Sequence, residues 1–177
     1  ATSLTVFDSL GGPHDLRLFF VKQSANLTAP NTWNVYAQID GQDIGEPDAL
    51  NPGIATQAEY QIRFFNDGSL DQVNSDDLLI SNWTVLDADG TPSGSLPPLS
   101  IANGATTDVA DPPTSSNFLI DLTGTTQFKS DFAVNEVDQD GFASGRLAGL
   151  DISESGVIFA RYSNGEALTL AQVALAD

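Results

Sequence analysis

Apolar and polar side chains alternate with period two along most of this chain. Between Glu59 and Phe65, Tyr60, Ile62 and Phe64 fall on one side and Glu59, Gln61 and Arg63 on the other. That is the pattern of a strand with one buried and one wet face. Trp33, Val35, Ala37 and Ile39 alternate in the same way with Thr32, Asn34, Tyr36 and Gln38, and Leu16, Leu18 and Phe20 share a side ahead of Lys22. Leu4 to Phe7 reads as an opening strand, joined to the next by a connection over Asp8 to Pro13. Asn66-Asp67-Gly68 supplies residues that tolerate positive φ, so it predicts a hairpin turn with a short return.

Leu78 to Leu86 predicts a further strand, ending at Asp87-Ala88-Asp89-Gly90. From Thr91 to Ser116 the character changes to Pro92, Pro97, Pro98, Pro112 and Pro113 among Ser, Thr, Gly and Asn. Proline removes ladder donors, so this stretch predicts a surface excursion or crossing, with at most a short strand near Leu99 to Ala102. Strands resume with Phe118, Ile120 and Leu122. Three turn signals, Asp140-Gly141, Ser155-Gly156 and Asn164-Gly165, then stand between short apolar segments, including Val157 to Tyr162. This predicts an antiparallel run joined by tight turns, with positive φ at Gly141 and Gly165. Ala167 to Ala176 keeps a period-two spacing on either side of Gln172 and reads as the last strand. No helix of consequence and no internal repeat is written.

Composition narrows the function more than the fold. In 177 residues, 41% are hydrophobic, enough to bury a core in one domain or two small ones. Six Lys plus Arg stand against twenty-four Asp plus Glu, a formal charge of −18, which repels a nucleic-acid backbone or an anionic membrane surface. A well-hydrated exterior accounts for that acidity. The absence of cysteine rules out a disulfide framework, a thiolate zinc site and a Cys nucleophile. The longest apolar runs fall far short of the ~20 residues that span a bilayer. The chain starts without an initiator Met or a signal-type leader and passes directly into a strand, which fits a fragment or a processed chain.

The chemistry-bearing constellations each have a plainer reading. Glu136, Asp138, Asp140 and Gly141 match the first half of a calcium loop, but Leu147 stands where a bidentate Glu belongs, so a β-turn is the reading. Asp87 to Gly90 offers fewer ligands still. His14 is the only histidine and, between Pro13 and Asp15, reads as a solvent-facing turn residue rather than a catalytic base. Trp33, Tyr36 and Trp83 read as packing aromatics rather than a sugar platform. Gly11-Gly12 lacks the spacing of a phosphate loop. No catalytic residue, cofactor or metal is assigned.

Two blocks of the chain resemble the bacterial flagellar hook protein family. The first holds Val6-Phe7-Asp8-Ser9-Leu10-Gly11, His14-Asp15-Leu16 and Asn31-Thr32-Trp33. The second, from about Leu119 to Ala176, holds Gln127-Phe128, Gln139-Asp140-Gly141, Gly145-Arg146-Leu147 and Tyr162-Ser163-Asn164-Gly165. Phe64 to Leu70 resembles the family's mid-domain hairpin, whereas residues 71 to 116 match no part of it. The signature residues are Asp8, Gly11, Trp33, Gln127, Phe128, Asp140, Gly141, Gly145, Tyr162, Asn164 and Gly165.

The resemblance implies an all-β fold, with an outer antiparallel barrel or sandwich over 1–115 and part of a second, inner β-domain over 116–177. It departs from the family in lacking the long terminal helices and the stretch that completes the inner domain, so it implies a fragment. It further implies a structural subunit of an extracellular helical tube that transmits motor torque to the filament. Its partners would be further copies of itself and neighbouring rod, hook-cap and hook-filament junction proteins. Export would proceed without a cleavable signal peptide. A secreted acidic β-sandwich binding glycan or calcium, as an adhesin module does, is the alternative from another class. A rod or hook-associated relative would share the C-terminal block.

Overall fold

The computed structural model describes residues 1–24, 31–47, 50–51, 54–98, 116–128 and 133–173. Within them the chain is built almost wholly from strands, and the all-β expectation holds. Strands β1 (Thr2–Phe7), β2 (Pro13–Lys22) and β3 (Thr32–Ile39) run antiparallel in that order. The far edge of β3 is shared by β4 (Gln42–Asp43) and β5 (Ala58–Arg63), giving a five-stranded sheet.

Register agrees with the alternation read from sequence. Leu4, Leu16 and Ile39 lie in one cross-strand row, Leu18, Ala37 and Ala58 in another, and Phe20, Val35 and Tyr60 in a third. A one-residue slip would turn every one of these side chains to solvent, so burial of this face fixes the pairing. Leu16, Val35, Ala37 and Ile39 are fully buried.

The apolar face is covered by a two-stranded pair, β6 (Leu78–Ile80) and β7 (Phe118–Ile120), with Trp83 and Val85. The strand expected over Leu78 to Leu86 is therefore only three residues long. Burial shows why: Leu78 and Ile80 face inward, then Trp83 and Val85, so the period slips by one residue. The buried Ser116 hydroxyl spans that slip, donating to the Ile80 carbonyl at 2.9 Å and accepting from the Trp83 N–H at 3.1 Å. The expected division at 115/116 thus falls within a connected set of contacts: β7 pairs with β6, and Phe118, Ile120 and Leu122 pack on the same core. The short strand expected near Leu99 to Ala102 lies outside the described residues.

A second sheet holds β8 (Leu147–Ile152), β9 (Val157–Tyr162) and β10 (Ala167–Gln172), in the order β10-β9-β8. Two of the three C-terminal turn signals form its connections, with Gly156 at φ +78° and Gly165 at φ +90°. The third does not. Gly141 has no positive φ, and residues 133–146 form no strand or tight turn, so no hairpin begins there. Among the described residues no helix is long and apolar enough to cross a membrane.

Candidate functional site

The signature residues gather in two places. Trp33, Gln127 and Phe128 meet beside the hairpin at Gly68, where the Trp33 indole N–H donates to the Gln127 carboxamide oxygen at 2.6 Å. The Gln127 backbone N–H donates to the Gly68 carbonyl at 2.8 Å. Gly68 stands at φ +89°, and a Cβ there would lie 2.6 Å from the Gln127 carbonyl oxygen, so glycine is required twice over. This contact closes the far end of the first sheet with residues almost a hundred positions apart.

The second gathering lies between the two sheets. Asp8 folds the β1–β2 turn around its own carboxylate, which accepts from the N–H groups of Leu10 at 2.9 Å and Gly12 at 2.7 Å. Gly11, at φ +77°, approaches the backbone of Ser144 so closely that a Cβ would fall 2.1 Å from its nitrogen. Gly141 lies over the Phe7 ring, and Gly145 against the Asn164 carboxamide. Asn164 in turn donates to the Ala143 carbonyl at 2.7 Å. Gly141 thus lies at a close approach to Phe7 and not in the turn expected of it. Asp140 lies exposed on the same stretch, and Tyr162 and Gly165 shape the β9–β10 turn.

His14 also departs from expectation. It is the second residue of β2, with its side chain only 13% exposed, bonded through Nδ1 to Asp40 at 2.7 Å, with Nε2 3.6 Å from an Asp8 oxygen. Trp83 meets the imidazole edge-on at 5.0 Å between centroids. Sequence reading missed this because Asp40 comes from the β3–β4 turn, where Asp40-Gly41 (φ 52° and 78°) is a turn signal in its own right. Trp33 and Tyr36, an odd number of residues apart on β3, point to opposite faces, so the three candidate aromatics form no common platform. Among the described residues no group of three or more His, Asp or Glu side chains converges as a metal cage.

Burial opposes ionisation of Asp8, but bonds from Ser95, the N–H groups of Gly12 and Leu10, and His14 outweigh it and hold the carboxyl below its ordinary value. A carboxylate with a lowered folded pKa contributes stability that is present above its unfolded value, about 4, and lost as pH falls through the folded one. Asp8→Asn is therefore expected to destabilise the chain by about 1–2 kcal/mol at pH 7. The deficit should narrow below about pH 4. Urea unfolding of both chains at neutral and acid pH checks this; a deficit independent of pH would mean that the carboxylate charge is not what the turn uses.

The second sheet presents one further feature. Leu147, Leu150, Ile152 and Leu168 project from one face around the buried Ala160, and they are 59%, 60%, 65% and 56% exposed. No described residue covers them. The opposite face carries Asp151, Arg161 and Thr169, with Asp151 and Arg161 paired at 2.5 Å. An apolar face this open on a small sheet has the character of a surface that another element covers.

Comparison with known proteins decides the family. Residues 1–142 match the family described as the flagellar basal body protein FlaE D2 domain. The chain belongs to the flagellar hook protein family. It is similar to the flagellar hook protein of Salmonella typhimurium, 30% identical over 175 residues, which cover 99% of this chain and 34% of that one. The hook protein of Escherichia coli is 27% identical over the same shares. Among solved structures, that of a Helicobacter pylori flagellar hook protein aligns over 97% of this chain and 31% of its own, at 18% identity and a TM-score of 0.44. The chain thus spans about a third of the length of the hook proteins it matches. The family match extends past 115/116 as far as residue 142.

Proposed function

We propose that this chain forms the outer β-domain and part of the next domain inward of a flagellar hook subunit, the repeating unit of a tube that passes motor torque to the filament. The observation that carries it is the match to hook proteins over 99% of the chain, together with family membership over residues 1–142. In this reading the outer unit extends to about residue 128, because β7 pairs with β6 and Gln127 with Trp33. The β8–β10 sheet is then a piece of a second unit, whose apolar face is covered in the longer protein. The subunit does mechanical rather than chemical work. A head-to-tail contact that does not close yields the open helical polymer such a tube requires. Rod, hook-cap and hook-filament junction proteins are its neighbours, and it stands outside the cell, exported without a cleaved leader.

Antibody raised against these residues should decorate isolated flagella along the short curved segment between basal body and filament. Deleting the gene should leave basal bodies without hooks. Decoration confined to the rod or the filament would replace the hook assignment by that of a relative. Specific binding on a glycan array with no flagellar decoration would favour the adhesin reading instead.

A further inference from the structure

The extended segment Gln139–Arg146 lies between two turns that belong to different sheets, and it touches both through backbone. On one side Gly11 leaves no room for a Cβ: Ser144 nitrogen would be 2.1 Å away, its Cα 2.8 Å and the Ala143 carbonyl carbon 2.9 Å. Two residues of the same segment further back, the Phe7 ring packs where a Gly141 Cβ would come within 3.1 Å. On the other side Asn164 donates to the Ala143 carbonyl at 2.7 Å and fills the space over Gly145. Ser163 closes the end of the segment, its N–H donating to the Arg146 carbonyl at 2.8 Å and its hydroxyl accepting from the Arg146 N–H at 3.0 Å.

Both turns are themselves stiff. Asp8 ties the first through Leu10 and Gly12, and the Tyr162–Glu166 and Gly165–Tyr162 backbone bonds close the second. A plain linker would need neither the missing Cβ atoms nor the side-chain bond, since a flexible connection is indifferent to which residues it passes. Contact at backbone distance on both sides leaves little freedom to rotate, because packed surfaces shift between discrete arrangements rather than deform continuously.

We propose that Gln139–Arg146 is a rigid strap that locks the β8–β10 sheet to the five-stranded sheet, with Gly11 and Asn164 as its positioning residues. The two sheets then turn as one body. On the hook reading, which this consequence alone rests on, bending of the tube takes place between subunits and not at this junction.

The chain contains no cysteine, so two can be introduced for dyes, at the exposed Gln57 and at the exposed Thr169 on β10. The distance distribution between them should be narrow in the parent and clearly broader in Gly11→Ala. Gly41→Ala is the matched control: Gly41 has φ +78° against +77° at Gly11, but a Cβ there meets nothing within 4 Å. It carries the same backbone strain without the strap and should keep the narrow distribution. Asn164→Ala, which leaves Gly11 untouched, should broaden it too. Chymotrypsin cleavage after the exposed Phe142 should rise at least tenfold in Gly11→Ala and Asn164→Ala, and not in Gly41→Ala. A broad distribution in the parent, or identical behaviour of Gly11→Ala and Gly41→Ala, overturns the strap and leaves the hook reading standing. Loss of hook decoration overturns that reading and leaves the strap.

Discussion

Trp83→Ala is expected to cost this chain about 3–5 kcal/mol of stability, the range for removing a large buried aromatic. Trp83 is 4% exposed and stands edge-on to His14 and to Phe118, 6.4 Å between centroids in the second case. The cavity would open where β2, β6 and β7 converge, and that site cannot collapse easily. The Trp83 N–H is held by Ser116, and the Ser116 N–H donates back to the Trp83 carbonyl at 2.9 Å. Urea unfolding measures the loss, and hydrogen exchange locates it. Amides of β7 should lose protection together with those of β2 and β3, whereas β8–β10 should change far less. If β7 kept its protection while β2 and β3 lost theirs, residues 116–128 would belong with the C-terminal sheet after all.

The same region shows where sequence stops being enough. Strands whose alternation is unbroken were legible: Thr32–Ile39, Ala58–Arg63 and the inward residues of β2 each declare a buried face, and the register follows from those faces. Leu78 to Leu86 was not legible as it stands, because the one-residue slip after Ile80 is held by Ser116, 36 positions away from the carbonyl it caps. Period carries no information about a partner from elsewhere in the chain. His14 failed for the same reason, since its pairing depends on a turn 26 residues on.

Gly141 is the more instructive miss. A glycine after Asp has the chemistry of a tight turn, and Asn164-Gly165 does form one. At Gly141 the Phe7 ring packs closely against the backbone, a contact no local pattern can show. The family resemblance had marked Gly11, Gly141, Gly145 and Asn164 as signature positions, and the structure brings them to one junction. Their spacing in sequence gave no sign that they would meet.

Changing Leu150, Ile152 and Leu168 together to Thr should leave the isolated chain almost unaffected and abolish hook formation by the full-length protein. All three are more than half exposed here, so their replacement removes little packing, and Thr supplies a β-branched side chain suited to a strand. In the longer polypeptide, where this face is proposed to be covered, each would contribute about 1.5–3 kcal/mol on burial, so the three together amount to roughly 5–9 kcal/mol. That is comparable to the whole stability of an ordinary domain. Val21 and Phe65, which are 47% and 52% exposed on the other unit, supply the control: changing both to Thr removes exposed apolar surface away from the β8–β10 face. Cells carrying the control should swim and show hooks of normal length, while cells carrying the triple variant should stop at hookless basal bodies. Normal hooks from the triple variant would mean that the face stays open in the assembled tube, and the inner placement of the β8–β10 sheet would have to be abandoned.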